Sequence, residues 1–175
     1  MGSRYVVFDL ETTGLSPKAG DRVIEIGAVV VEKGRLGAEF HSLVHTEQPM
    51  HWAARKVHGI SPADLAAAPL AAEIFPVFRE FIGDSPLIAH NLPFDLRFLA
   101  SELSRFSLAP VRPGFCTLQL SRKLYPALAS RRLEDLARYL LGSEIVNGSR
   151  LHRALADARL TAHVWFELET SVAGR

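Results

Sequence analysis

The sequence predicts an α/β fold, a mixed five-stranded sheet flanked by helices. Up to His45 it holds three β-patterned stretches, the second and third joined by a connection too short for a helix. After Pro49 the apolar residues switch to helical spacing. Short apolar stretches then alternate with those helices, which adds parallel strands to an antiparallel start.

Residues 4–10 read as the first strand, and residues 23–32, dense in Val and Ile, as the second. Lys33-Gly34 is a turn signal, so the third strand, 36–45, pairs antiparallel with the second. Between strands one and two, Gly14 to Gly20 form a loop long enough to shape the edge of a site. A short helix over 52–57 stops at Gly59, and Ser61-Pro62 starts another. Ile74, Phe75, Phe78, Phe81 and Ile82 give 70–82 one apolar helical face, ended by Gly83. Residues 86–90 form a short strand, Asn91 caps the next helix, and Phe94, Phe98, Leu99 and Leu103 face that helix to the core. A fifth strand at 114–117 precedes helices over 117–124, 133–141 and 150–170, the last after the turn Asn147-Gly148-Ser149. With no repeat or linker in view, residues 1–175 read as a single domain with its core at about 4–170. This order of elements resembles the ribonuclease H-like fold.

Composition excludes several classes. Hydrophobic content of 48% and charged content of 22% are those of a globular protein. No apolar run is long enough to span a bilayer, and the N-terminus has no signal-like segment, so no membrane is involved and a cytoplasmic location is expected. A single cysteine, Cys116, excludes an internal disulfide or thiolate metal cluster and reads as a small buried residue. Net charge is only +1, yet from Arg112 to Arg159 nine basic residues face four acidic ones, a candidate phosphate-contacting surface.

The chemistry is written in the acids. Asp9 and Glu11 interrupt an apolar strand at i and i+2, which places both on one face. Asp95 opens a helix after a short strand, and Asp157 lies in the last helix. Two carboxylates about 5 Å apart repel by roughly 3 kcal/mol at an effective dielectric near 20. Four converging carboxylates therefore call for a cation, and an all-oxygen set favours Mg2+ or Mn2+ over zinc. His152 lies five residues before Asp157, about 140° around a helix. It is better placed in the preceding loop or first turn, as an imidazole general base.

Four stretches carry a family resemblance: Phe8 to Leu15, Val57-His58-Gly59-Ile60, Ala89 to Asp95 and His152 to Ala158. Together and in this order they resemble the DEDDh 3′–5′ exonucleases, the group containing the proofreading epsilon subunit of bacterial DNA polymerase III and ribonuclease T. The resemblance implies a metal-dependent exonuclease. It would hydrolyse terminal phosphodiesters at single-stranded or frayed DNA 3′ ends by a two-metal mechanism, releasing nucleoside 5′-monophosphates. Asp9, Glu11, Asp95 and Asp157 would hold two divalent cations, with His152 as general base. Thr12, Thr13 and Gly14 would grip the 3′-terminal nucleotide. Leu15 would wedge between the last two bases, and His58, Asn91 and Phe94 would line the pocket. Trimming of RNA 3′ ends is the alternative reaction, and a non-catalytic polymerase-accessory module the alternative class. Cys116 stands where the family often has Asp, so no catalytic role is placed there. Glu11-Thr12 replaces the Glu-Met of oligoribonucleases. A DNA polymerase is the implied partner, without a recognisable tether in this chain. The remaining histidines (His41, His45, His51, His90 and His163) read as structural or exposed.

Overall fold

A computed structural model describes residues 4–144 and 152–174. Its sheet has the order β3-β2-β1-β4-β5, built from β1 (Arg4–Thr12), β2 (Val23–Glu32), β3 (Arg35–Leu43), β4 (Leu87–Ala89) and β5 (Phe115–Cys116). The first three strands form an antiparallel meander, and β4 and β5 add in parallel. Among the described residues these α-helices accompany them: α1 (Trp52–His58), α2 (Pro62–Ala66), α3 (Ala71–Ile82), α4 (Leu92–Arg105), α5 (Thr117–Leu124), α6 (Leu133–Leu141) and α7 (Ala154–Ala173).

The sheet is covered on both faces, which explains why β1 and β2 read as nearly continuous apolar runs. Val6, Phe8 and Leu10 point into a core shared with Phe75, Phe78 and Ile82 of α3 and Phe98, Leu99 and Leu103 of α4. Val7, Val29, Val31 and Ile88 point the other way and pack with Ala162 and Trp165 of α7. Leu136 and Ala137 of α6 pack on Leu160, Val164 and Leu168, so α6 reaches the sheet through α7. By alternation Asp9 and Glu11 share the α7 face with Val7. In the β1–β2 register they lie opposite Gly27 and Glu25.

Gly27 sets how closely α7 approaches. A Cβ at this position would overlap the backbone of Ala154 and Leu155 well inside contact distance. The helix start therefore rests directly on the strand. Gly27→Ala should cost about 1–3 kcal/mol through overpacking, measured as a lower urea midpoint with an unchanged slope.

The element boundaries differ from expectation at informative places. β1 runs two residues past Leu10, and its ladder shifts register between Glu11 and Thr12. Glu11 is thus held within the paired strand before the chain turns away. The third strand ends at Leu43 instead of 45, and Pro17–Ala19 of the loop forms a 3-10 turn. Asn91 occupies the N-cap position of α4, but its side chain makes no cap hydrogen bond. It takes a left-handed conformation at φ 69°, which asparagine tolerates. The last helix begins at Ala154, not at 150, and extends to Ala173. The predicted turn Asn147-Gly148-Ser149 lies outside the described residues.

Candidate active site

The first turn of α7 brings Asp157 over β1. Asp9, Glu11 and Asp157 each present a carboxylate oxygen within 4.8 Å of the other two. Asp157 is 9% exposed, and one of its oxygens accepts the His152 backbone N–H at 3.2 Å. Asp95, in the first turn of α4, is 3% exposed and stands outside this triple. Its charge nonetheless raises the pKa of both Asp9 and Glu11.

Burial and mutual repulsion hold these groups toward the protonated form. Burial first, then the charges of Asp95, Glu11 and Asp157, push Asp9 well above the usual carboxylate range. Burial and the Asp157 charge raise Glu11 to about 8. Asp95 rises to about 8 through burial, opposed by backbone hydrogen bonds from Asp95 itself and Leu10. Asp157 rises to about 6, again mainly through burial, with His152 pulling it back. Acids clustered at such a cost, two of them half-buried and two buried, all with oxygen donors, fit a hard divalent cation.

His152 lies outside α7, as the 140° offset requires, with φ at 63°. Its side chain is 53% exposed, and Nε2 sits 3.4 Å from Glu134 Oε1. Arg132, Leu133, Glu134, His152 and Asp157 line a cleft of about 470 Å³ beside the cluster.

The turn after Glu11 is built on a residue sequence reasoning did not single out. Buried Asp21 accepts the Thr13 hydroxyl at 3.3 Å and the Ser16 N–H at 2.9 Å. Its carboxylate fills the space that a Cβ on Gly14 would need. Thr12 donates its hydroxyl to the Gly14 carbonyl at 2.6 Å. The Thr13 N–H is spent on the Arg22 carbonyl. Leu15 projects from this turn, 79% exposed. It borders two clefts, one lined by Lys18, Arg97 and Ala100, the other by His51, Ala53, Ala54 and Val57.

His58 is buried, and its Nδ1 accepts the Ile60 N–H at 3.1 Å. The ring proton is therefore on Nε2, which has no hydrogen-bond partner among the described residues. Burial holds its pKa below the usual value. Phe94 packs on Phe98 with the Arg97 guanidinium 5.8 Å from its ring. Asn91 is exposed at the start of α4. His90 is structural, tied to the Thr117 hydroxyl and the Arg131 carbonyl, and Cys116 is buried.

One more residue was missed. Glu25, opposite Glu11 on β2, is fully buried and paired with Arg153 and His41. The signal was present, because Glu25 interrupts an apolar strand as Asp9 does.

The carboxylate cluster on the central strand of a mixed sheet, closed by the first turn of a long helix, is a set of oxygen donors that fits a hard divalent cation. The family profile described as Exonuclease (RNase_T) matches residues 6–165. The chain belongs to that exonuclease family and is a nuclease hydrolase. It is 39% identical over 171 residues to the DNA polymerase III subunit epsilon of Rickettsia felis, covering 94% of this chain and 73% of that protein. Among solved structures it resembles Exonuclease X in complex with 5′ overhanging duplex DNA, with TM-score 0.73 and 24% identity, over 97% of this chain and 92% of that one. It also resembles E. coli Exonuclease I in complex with a dA16 oligonucleotide, with TM-score 0.81 and 20% identity, over 96% of this chain and 41% of that one. Both likenesses bear on the fold. No helix among the described residues is long and apolar enough to cross a membrane.

Proposed function

We propose that the chain removes nucleotides one at a time from DNA 3′ ends, using two divalent cations, Mg2+ or Mn2+, held by Asp9, Glu11, Asp95 and Asp157. The observation that carries this reading is the convergence of the Asp9, Glu11 and Asp157 oxygens within 4.8 Å. Bound cations supply electrophilic stabilisation of the phosphate and the departing 3′ oxygen. The remaining work belongs to the chain's own side chains. His152 takes the proton of the attacking water from its position at the rim of the cluster. Backbone contact to the terminal 3′-hydroxyl falls on the Thr12–Thr13 stretch, in which the Thr13 N–H is already spent on the Arg22 carbonyl. The rigid turn held by Asp21 fixes that contact, with Gly14 permitting its close packing. Leu15 separates the last two bases, and its two flanking clefts receive them. His58, Asn91 and Phe94 border the terminal nucleotide, where stacking is tolerant of base identity. A polymerase partner and a cytoplasmic location accompany this reading, supported by likeness to the epsilon subunit.

The test uses a 5′-labelled oligonucleotide. With Mn2+ or Mg2+ the expected product is a ladder shortened from the 3′ end, with 5′-monophosphates released and a chelator stopping the reaction. Matched DNA and RNA oligomers are compared in the same assay, with DNA expected to be cut faster. An intact 5′-labelled strand, with folded protein and metal confirmed, removes the proposal. Faster loss of RNA moves the substrate to RNA 3′ ends.

A further inference from the structure

Glu25 is a buried carboxylate that the proposed cation set leaves unused. Its two oxygens are fully engaged by the start of α7. Arg153 Nε reaches them at 3.0 and 3.2 Å and Nη2 reaches one at 2.8 Å. The Ala154 N–H donates to Oε2 at 3.2 Å, and His41 Nε2 lies 2.7 Å from Oε1. Despite burial, these partners bring its pKa below the usual value. It is therefore held as an anion while its neighbours on β1 are pushed the other way.

The bond to Ala154 has a second meaning. Helix α7 has Arg153 at its N-cap, which offers no side-chain cap hydrogen bond. An orphan N–H of the first turn is satisfied from outside the helix, by a carboxylate on β2. That carboxylate also sits at the positive end of the helix dipole. Glu25 lies directly across from Glu11 in the β1–β2 register. Two residues along the same face, Gly27 clears the space in which Ala154 and Leu155 rest. One end of α7 is thus fixed on β2 by a fork of hydrogen bonds and a close backbone contact. Asp157 lies in that same first turn, its N–H donating to the Arg153 carbonyl.

We infer that Glu25 is a positioning residue: through Arg153 and the Ala154 N–H it places Asp157 against Asp9 and Glu11 and thereby sets divalent-cation affinity. The inference rests on reading that carboxylate triple as the cation site. Partners of this kind around metal ligands change affinity by about 10–100-fold when removed.

The experiment measures Mn2+ binding without nucleic acid, from the electron paramagnetic resonance signal of free Mn2+, in wild type, Glu25→Gln, Arg153→Gln and Arg153→Lys. Each variant is checked for cooperative unfolding. A charge effect alone, or Glu25 acting as a ligand, predicts opposite shifts: Glu25→Gln weakens binding, Arg153→Gln tightens it, and Arg153→Lys leaves it unchanged. Positioning predicts that all three weaken it by about 10-fold or more, because lysine keeps the charge but not the two-pronged grip. If Glu25→Gln does not fold, the two Arg153 variants decide alone. Tightening in Arg153→Gln, or wild-type affinity in both Arg153 variants, overturns the inference. Wild-type protein that fails to bind Mn2+ removes the cation site itself. Wild-type protein that binds Mn2+ but does not shorten DNA removes only the proposed reaction.

Discussion

Asp9→Asn should abolish 3′ shortening, with a loss of about 10³-fold or more, and at the same time raise the melting temperature of the metal-free protein at pH 8. Both effects have one cause. Asp9 is partly buried beside Glu11, Asp95 and Asp157, and each adds to the cost of its charge. The amide keeps the shape and removes the charge. In the metal-free fold Asp9 must either stay charged against its neighbours, each ionised one costing roughly 3 kcal/mol before screening, or hold a proton that the unfolded chain has released at pH 8. The amide avoids both. About 2 kcal/mol corresponds to roughly 4–8 °C in a domain of this size. The pH dependence follows from the same groups. Glu11 and Asp95 are raised to about 8 and Asp157 to about 6, from ordinary values near 4. Between about pH 4 and pH 8 the folded state holds protons that the unfolded chain has released. Metal-free stability therefore falls as pH rises through that window. Mn2+ binds the ionised folded form, so its stabilisation should be larger at pH 8 than at pH 5. Thermal scans with and without Mn2+ at the two pH values measure this. A melting temperature unaffected by Mn2+ at pH 8, or lowered by Asp9→Asn in the metal-free protein, contradicts the account.

The same conflict between charge and burial made Asp9 and Glu11 visible in the sequence. An acid inside an apolar strand violates local pattern, and the i, i+2 spacing assigns its face without any coordinates. The β2–β3 pairing was legible for a related reason, since the short Lys33-Gly34 connection leaves those two strands little choice. Other parts of the site left weaker traces. Asp21 sits in a loop, where an acid is ordinary. Only the folded turn shows it holding Thr13 and Ser16. By spacing alone Arg153 is an i, i+4 partner for Asp157. The start of α7 instead turns it toward β2, where it meets Glu25. Asn91 matched the cap preference of its position, yet the backbone there uses its tolerance of positive φ. These are tertiary outcomes that cap and spacing rules do not encode.

His152→Ala should lower the turnover number by about 10²-fold or more, with Mn2+ affinity and the KM for DNA little changed. Its backbone is fixed, because the His152 N–H donates to Asp157 and the chain there has left the helix. The ring is exposed and rests near Glu134, at the edge of the cleft that also contains Asp157. Rotation about its side-chain bonds alone therefore changes its distance from the cluster, leaving the cation ligands in place. Two measurements separate a base from a structural residue. Loss of a base lowers the turnover number and alters the shape of its pH profile. Loss of packing lowers the melting temperature and weakens Mn2+ binding through Asp157. A His152→Ala protein with an unaltered rate–pH profile would exclude the histidine as the base, and a turnover number close to wild type would do so directly.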